Sequence, residues 1–308
     1  MPQSLYQQII NLLYRYPRST LKKYQRFGGY LAYKNMLAAE AKMRAAAPKL
    51  PPVRSYSDKP SIFFLTGKKF LHQTLFCTYS LTKFSGEKFQ FVIVDDGSFD
   101  AEIIKLIEQQ LPGAKIVTAA DIDKNLNEKL PITKYPHLRA KRLIYPHLRK
   151  LTDIHTIDMP GWKLVFDSDM LFWNEPKAII NWLLNPNQPI FMKDCMASYG
   201  YTPSLMSGLL GGCIPDMLNV GVIGLNGEAI NWVKVQDWML ALEAEQGTSY
   251  YLEQALTAML IGSKESIQLD AATYQVCPKQ LGLQGMVLQH YVDLSKKLYF
   301  TEAWRALV

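Results

Sequence analysis

Lys163-Leu164-Val165-Phe166-Asp167-Ser168-Asp169-Met170-Leu171-Phe172 sets two carboxylates one residue apart, with apolar runs on both sides. The run before them, Lys163 to Phe166, is short and apolar and predicts a buried strand. A solvated loop would not be flanked this way, and two like charges so close are unfavourable unless a cation neutralises them. Oxygen ligands of this kind suit Mg²⁺ or Mn²⁺, ions that keep positions open for water and substrate phosphates. An Asp-x-Asp pair is common in isolation. Its place at the end of an apolar strand is what gives it weight.

Working outward, further apolar runs alternate with helical spacing. Ser61 to Leu65, Phe89 to Val94, Ala114 to Thr118, Pro189 to Lys193 and Asn219 to Leu225 predict strands. Phe70 to Leu81, about Phe99 to Gln110, and Leu138 to Leu151 predict helices, with others from Pro176, Glu228 and Tyr250. This alternation implies an α/β fold with a mostly parallel sheet covered by helices on both faces. Ligands of such sheets bind at the carboxyl ends of the strands. A second acidic turn, Asp95-Asp96-Gly97-Ser98, sits at such an end. It reads either as a helix-capping Asp-Gly turn or as carboxylates placed for a base N–H or a ribose hydroxyl. The glycine-bearing stretch Ser207 to Gly212 reads as a flexible loop or a mobile lid.

Composition bounds the rest. The chain has 308 residues, 48% hydrophobic and 20% charged, which excludes disorder, collagen and small disulfide scaffolds. Cys77, Cys195, Cys213 and Cys277 are far apart in sequence and make no CxxC pair, so neither a disulfide framework nor a zinc site is expected. No signal-peptide pattern opens the chain and no long uninterrupted apolar stretch occurs, so a cytoplasmic protein is expected.

The net charge of +7 is uneven: residues 1–60 hold eleven Lys and Arg against Glu40 and Asp58, and the remainder is close to neutral. This segment interleaves Leu5, Ile9, Ile10, Leu12 and Leu13, and then Tyr14, Tyr16, Tyr24, Phe27, Tyr30 and Tyr33, with positive charge. It reads as a basic helical arm, either a collar packed on the body or an interfacial helix on an anionic membrane surface; nucleic acid is not the expected partner. Ala45 to Pro60 is rich in breakers and reads as a linker. The organisation expected is therefore an arm and linker over 1–58 and an α/β body over 59–308, divided into a nucleotide-binding half, 59–170, and a donor-sugar and acceptor half, 171–308.

With these pieces in place, the chain resembles a nucleotide-sugar glycosyltransferase of the GT-A fold, and within it glycosyltransferase family 8, the retaining family that includes glycogenin. The similarity runs through Ala140 to Leu148 with its Arg142-Leu143, Lys163 to Asp169, Ile190 to Asp194, Leu218-Asn219-Val220-Gly221-Val222, Glu253-Gln254, and His290 with Lys296 six residues on. It implies that Asp167, Asp169 and His290 hold Mn²⁺ or Mg²⁺ at the donor diphosphate, a cation that acts as a Lewis acid on the leaving group. It implies that Lys296 and Arg142 bind donor oxygens, and that Asp194, Asn219 and Gln254 line the sugar and the reacting face. Gln254 has no ionisable group, so it can position or stabilise a cationic centre but cannot be a general base.

The donor implied is a nucleotide-diphosphate sugar, a UDP-sugar by family habit, and the acceptor is a glycan, a lipid-linked group or a protein. Three departures stand out. Thr66-Gly67-Lys68 follows the first strand where the family has its base-reading Asp and Tyr, and Asp95 with Asp96 resembles the nucleoside-binding turn of the inverting family 2. Asp293 stands where a glycine is usual. Alternatives are an inverting family 2-like transferase and a non-catalytic protein that binds membrane or polyanion through its arm. The pentapeptide Tyr135-Pro136-His137-Leu138-Arg139 recurs as Tyr145 to Arg149, too short for a repeat architecture.

Overall fold

A computed structural model describes residues 16–282 and 285–308. The expectations for Leu5 to Tyr14 and Arg15 concern residues outside this range. Two helices come first, α1 (Tyr16–Arg26) and α2 (Tyr30–Ala46). The body then runs β1 (Ser61–Thr66), α3 (Leu71–Ser85), β2 (Gln90–Asp95), α4 (Ala101–Gln110), β3 (Lys115–Val117), α5 (Ala119–Lys129), α6 (Pro136–Ile144), α7 (Leu148–His155), β4 (Trp162–Phe166) and β5 (Met170–Phe172). Its second part continues with α8 (Lys177–Leu184), β6 (Ile190–Lys193), α9 (Pro203–Leu210), β7 (Leu218–Asn226), α10 (Trp232–Gln246), α11 (Leu252–Ile261), β8 (Ile267–Leu269), β9 (Tyr274–Val276), β10 (Leu288–His290) and α12 (Lys296–Thr301).

The main sheet has seven strands in the order β3-β2-β1-β4-β7-β6-β8. Strands β3, β2, β1 and β4 are parallel, while β7 runs antiparallel between β4 and β6. The predicted mostly parallel sheet is thus correct on one side and mixed on the other. The reversal matters for the site: the carboxyl ends of β4 and β6 and the amino end of β7 meet at one edge. A second sheet, β5-β10-β9, closes over that edge, with His290 of β10 opposite Met170 of β5. Apolar cores fill both faces of the main sheet, one around Phe64, Phe91 and Phe166, the other around Phe63, Val165 and Ile223. This alternation along β1 and β4 is what a sheet buried on both sides requires.

Three local expectations are corrected. The predicted helix from Leu138 to Leu151 is two helices, broken at Tyr145-Pro146. Pro146 has no N–H and disfavours helical backbone at Tyr145, which sits at φ −127° and ψ 88°. This accounts for the repeated pentapeptide: Pro136 opens α6 and Pro146 leads into α7, so each copy starts a helix. Ser207 to Gly212 is not a loop or lid: most of it is the C-terminal part of α9, which Gly211 ends in the left-handed conformation at φ 72°. The segment after α2 is not a free linker either. Leu50 and Val53 are buried, and Val53 and Ser55 donate backbone hydrogen bonds to Gln110 and Pro112. Among the described residues no helix is long and apolar enough to cross a membrane.

Candidate active site

The edge where the two sheets meet collects the acidic and basic side chains of several elements. Asp167 and Asp169 bracket the turn from β4 to β5. Ser168 between them faces inward, its hydroxyl 2.8 Å from that of Thr74, which donates to Thr66 at the end of β1. The turn is further pinned by backbone bonds from Asp167 to Gly221 of β7 and from Tyr291 to Asp169, both 2.8 Å.

His290 completes the group: one ligand atom from each of Asp167, Asp169 and His290 lies within 4.8 Å of the others. The ring's orientation follows from Asn219. Its Nδ2 donates to Asp194 Oδ2 at 3.2 Å, which turns Oδ1 toward the Gly221 N–H at 2.9 Å and His290 Nδ1 at 3.2 Å. Nδ1 therefore carries a proton, and the lone pair of a neutral imidazole points from Nε2 at Asp169 Oδ1, 3.2 Å away, and Asp167 Oδ2, 3.5 Å away. With the ring neutral, three electron-pair donors face one another and repel unless a cation lies among them. A histidine fixed through its second nitrogen is also the usual arrangement behind a metal ligand. The donor set fits Mn²⁺ or Mg²⁺.

Two lysines hold the outer carboxylate oxygens. Lys296, at the start of α12, pairs with Asp169 Oδ2, and Lys150 of α7 lies 2.8 Å from Asp167 Oδ1. Burial alone would raise the Asp169 carboxyl, but the charge of Lys296, that of the His290 ring in its protonated form, and the hydrogen bonds from both hold it well below the ordinary carboxylate range. Burial would likewise lower Lys150, and it is overcome by Asp167 and then Glu253, so the ammonium is held above its usual range. Glu253, 3.8 Å from Lys150, is pushed up to about 7, chiefly by burial, against Lys150 and with Asp167 reinforcing the rise.

A second polar layer lies beside the first. Asp194, at the end of β6, accepts from Cys195 N at 2.7 Å through Oδ1, and from Asn219 Nδ2 and Gln254 Nε2, both 3.2 Å, through Oδ2. Gln254, in the first turn of α11, also donates from Nε2 to Ser198 O at 2.9 Å. Both of its N–H groups are thereby engaged, and the group it can present to a ligand is its carbonyl oxygen. Gly221 is required by geometry: a Cβ there would fall on the His290 ring and lie 2.9 Å from Asn219 Oδ1.

The structure thus brings Asp167, Asp169, His290, Lys296, Asp194, Asn219 and Gln254 into one connected group. Arg142 is placed elsewhere: both Asp153 oxygens, at 2.5 and 2.6 Å, hold its guanidinium, and Asp153 is fully buried. The cation this helical region supplies to the carboxylates is Lys150. The spacing misses it because the break at Pro146 restarts the helical register and gives α7 its own inward face. Asp95 is turned onto its own loop, Oδ1 accepting from Gly97, Ser98 and Phe99 at 2.7 to 3.1 Å. Asp96 instead reaches across to the end of β1, its carboxylate filling the space a Cβ at Gly67 would take. A cavity of about 420 Å³ at the other end of β4, against Trp162, Gln188 and Asn226, contains none of these residues.

The architecture is the GT-A glycosyltransferase fold. The galactosyltransferase LgtC, crystallised with donor and acceptor sugar analogues, matches with a TM-score of 0.52 and 12% identity over 80% of this chain and 96% of that one. The bifunctional glycosyltransferase WbbM matches at 0.52 and 13% identity, over 84% of this chain and 52% of that one. Mouse xyloside xylosyltransferase 1 aligns at 0.49 and 13% identity, over 78% and 98% of the two chains. No protein-family model and no curated protein sequence matches the chain.

Proposed function

We propose that the protein is a divalent-metal-dependent glycosyltransferase that moves a sugar from a nucleotide-diphosphate donor to an acceptor with retention of configuration. The observation that carries this reading is the convergence of His290 Nε2 with the inner oxygens of Asp167 and Asp169, with Asn219 fixing the tautomer. When bound, Mn²⁺ or Mg²⁺ supplies Lewis-acid stabilisation of the departing diphosphate. Asp167, Asp169 and His290 would hold it.

The chain's own residues do the rest. Lys296 and Lys150 add positive charge on either side of the carboxylates, where a phosphate leaving group gains negative charge. Asp194 has its lone pairs engaged by three N–H donors and is poorly placed to take a proton. The Gln254 carbonyl can face positive charge developing at the sugar's reacting carbon or orient an acceptor hydroxyl. With no free base in this layer, the leaving phosphate itself is the proton acceptor, as retention by front-face attack requires. Asp96, at the ends of β1 and β2, is the candidate reader of the nucleoside, with uridine the expected base. The acceptor belongs to the glycan, lipid-linked or protein class.

One observation favours a second reading. Glu253, beside Gln254 and 3.8 Å from Lys150, carries a carboxyl pushed up to about 7 by burial, and is the candidate general base that an inverting transferase would need. The NMR anomeric configuration of the first-formed product separates the two: retention supports the first reading, and inversion with loss of turnover in Glu253→Gln supports the second.

A further inference from the structure

The chain's excess positive charge lies in the arm, which also carries exposed apolar side chains; further exposed aliphatics, among them Ile132, Leu143, Ile144 and Leu184, lie on the near-neutral body. Helix α2 buries Tyr33, Met36, Ala39 and Met43 against the body. Beside that face, Leu21, Tyr30 and Leu31 of the arm stand 56%, 53% and 75% exposed. Lys22, Lys23, Lys34 and Lys42 of the same two helices are exposed, with Lys34 Nζ 5.7 Å from the Tyr30 ring centroid. The single carboxylate of the two helices, Glu40, is engaged by Arg44 at 3.3 Å.

This surface adjoins the candidate site. Arg26 at the end of α1 bonds Asp293 at 2.5 Å, the turn at Gly28 packs by Lys297, and Arg44 reaches Lys68 O at 3.4 Å. Leu294 is 46% exposed beside Asp293. Phe70 is 39% exposed after β1, with Lys69 Nζ 5.1 Å from its ring centroid. The pairing of exposed apolar groups with lysine thus runs from the arm to the segments that precede Lys296 and α3.

We infer that this collar is a docking surface for an anionic lipid bilayer, which it meets with the Lys296 side of the molecule. Charge complementarity selects negative headgroups, each cation near such a surface adding favourable free energy. The leucines select lipid over a soluble polyanion, because an acyl boundary removes them from water and a polyanion does not. The consequence that the acceptor is carried on a lipid rests on the proposed glycosyl transfer; the docking does not.

The test is flotation of the full chain, without nucleotide, on phosphatidylcholine vesicles with and without phosphatidylglycerol. The expected result is binding that requires phosphatidylglycerol and weakens as salt is raised. Lys22→Gln and Lys34→Gln should each lower partitioning roughly fivefold, and Leu21→Ser and Leu31→Ser should lower it at unchanged charge. All four positions are exposed, and nucleotide-dependent stabilisation in solution should be the same in every variant. Equal binding to both vesicle types, or none to either, overturns the proposal. So does binding that ignores the leucines while a sulfated polysaccharide competes for the lysines, which would make the arm a polyanion site. Absence of any nucleotide effect would instead strike at the transferase reading and leave the vesicle result standing.

Discussion

At the scale of single residues, the site depends on atoms held in place by neighbouring groups. Asn219 sets the tautomer of His290, and Gly221 leaves room for its ring. Replacing a partner that orients a metal ligand typically costs about 10–100-fold in metal affinity or activity. Asn219→Ala and Gly221→Ala should both show this loss in Mn²⁺ titrations followed by protein fluorescence. Retention of wild-type affinity in Gly221→Ala would mean that His290 is no ligand. Lys150→Ala and Arg142→Ala form a contrasting pair. Breaking the buried Arg142–Asp153 pair should cost about 3–5 kcal/mol of stability and leave nucleotide affinity of the folded fraction unchanged. Lys150→Ala should weaken nucleotide binding with a smaller loss of stability. Urea unfolding and nucleotide titration on both variants separate the roles.

At the scale of elements, legibility followed periodicity. The short apolar runs of β1, β2, β4, β6 and β7 announce themselves, and so do the acids that end β2, β4 and β6. Strands β5, β9 and β10 are only three residues each and carry no period, so the second sheet, in which Tyr274 pairs with Leu288, is not legible in the sequence. A helix through Tyr145-Pro146 was the wrong reading of a strongly periodic stretch, because proline's missing donor outweighs periodicity. The collar shows a different limit. Its charge is plain in the sequence, but which face of α2 is buried depends on α12 and α3, elements far along the chain. Met43, fully buried, ties α2 to the core. Met43→Ala should therefore cost about 2–5 kcal/mol, measured by urea unfolding. A near-neutral result would make α2 a peripheral attachment.

At the scale of the whole molecule, the pH dependence of stability has two opposing parts. His155 is pushed down to about 3 by burial and then by Lys163, and His72 to about 3 by burial, then Arg44 and Lys296. The unfolded chain takes up these protons near 6.5 and the folded chain only near 3. Stability is therefore lost as pH falls through that window. Glu253 acts in the opposite sense: its carboxyl ionises near 4.5 when unfolded and near 7 when folded, so its part of the stability is lost as pH rises between those values. Unfolding midpoints across pH should show a shallower acid limb in His155→Asn and a shallower fall toward neutrality in Glu253→Gln.

The central claim is that Asp167, Asp169 and His290 form a metal site serving a nucleotide diphosphate. Its most direct test is thermal unfolding with UDP, GDP, CDP or ADP, each with Mn²⁺ or with chelator, on the wild type and Asp169→Asn. A ligand at a hundred times its dissociation constant adds about 2.7 kcal/mol, which raises the melting temperature visibly. The expected result is stabilisation by one diphosphate, UDP, only when Mn²⁺ is present, and its loss in Asp169→Asn. Stabilisation that persists in chelator, or that survives in Asp169→Asn, would contradict the account.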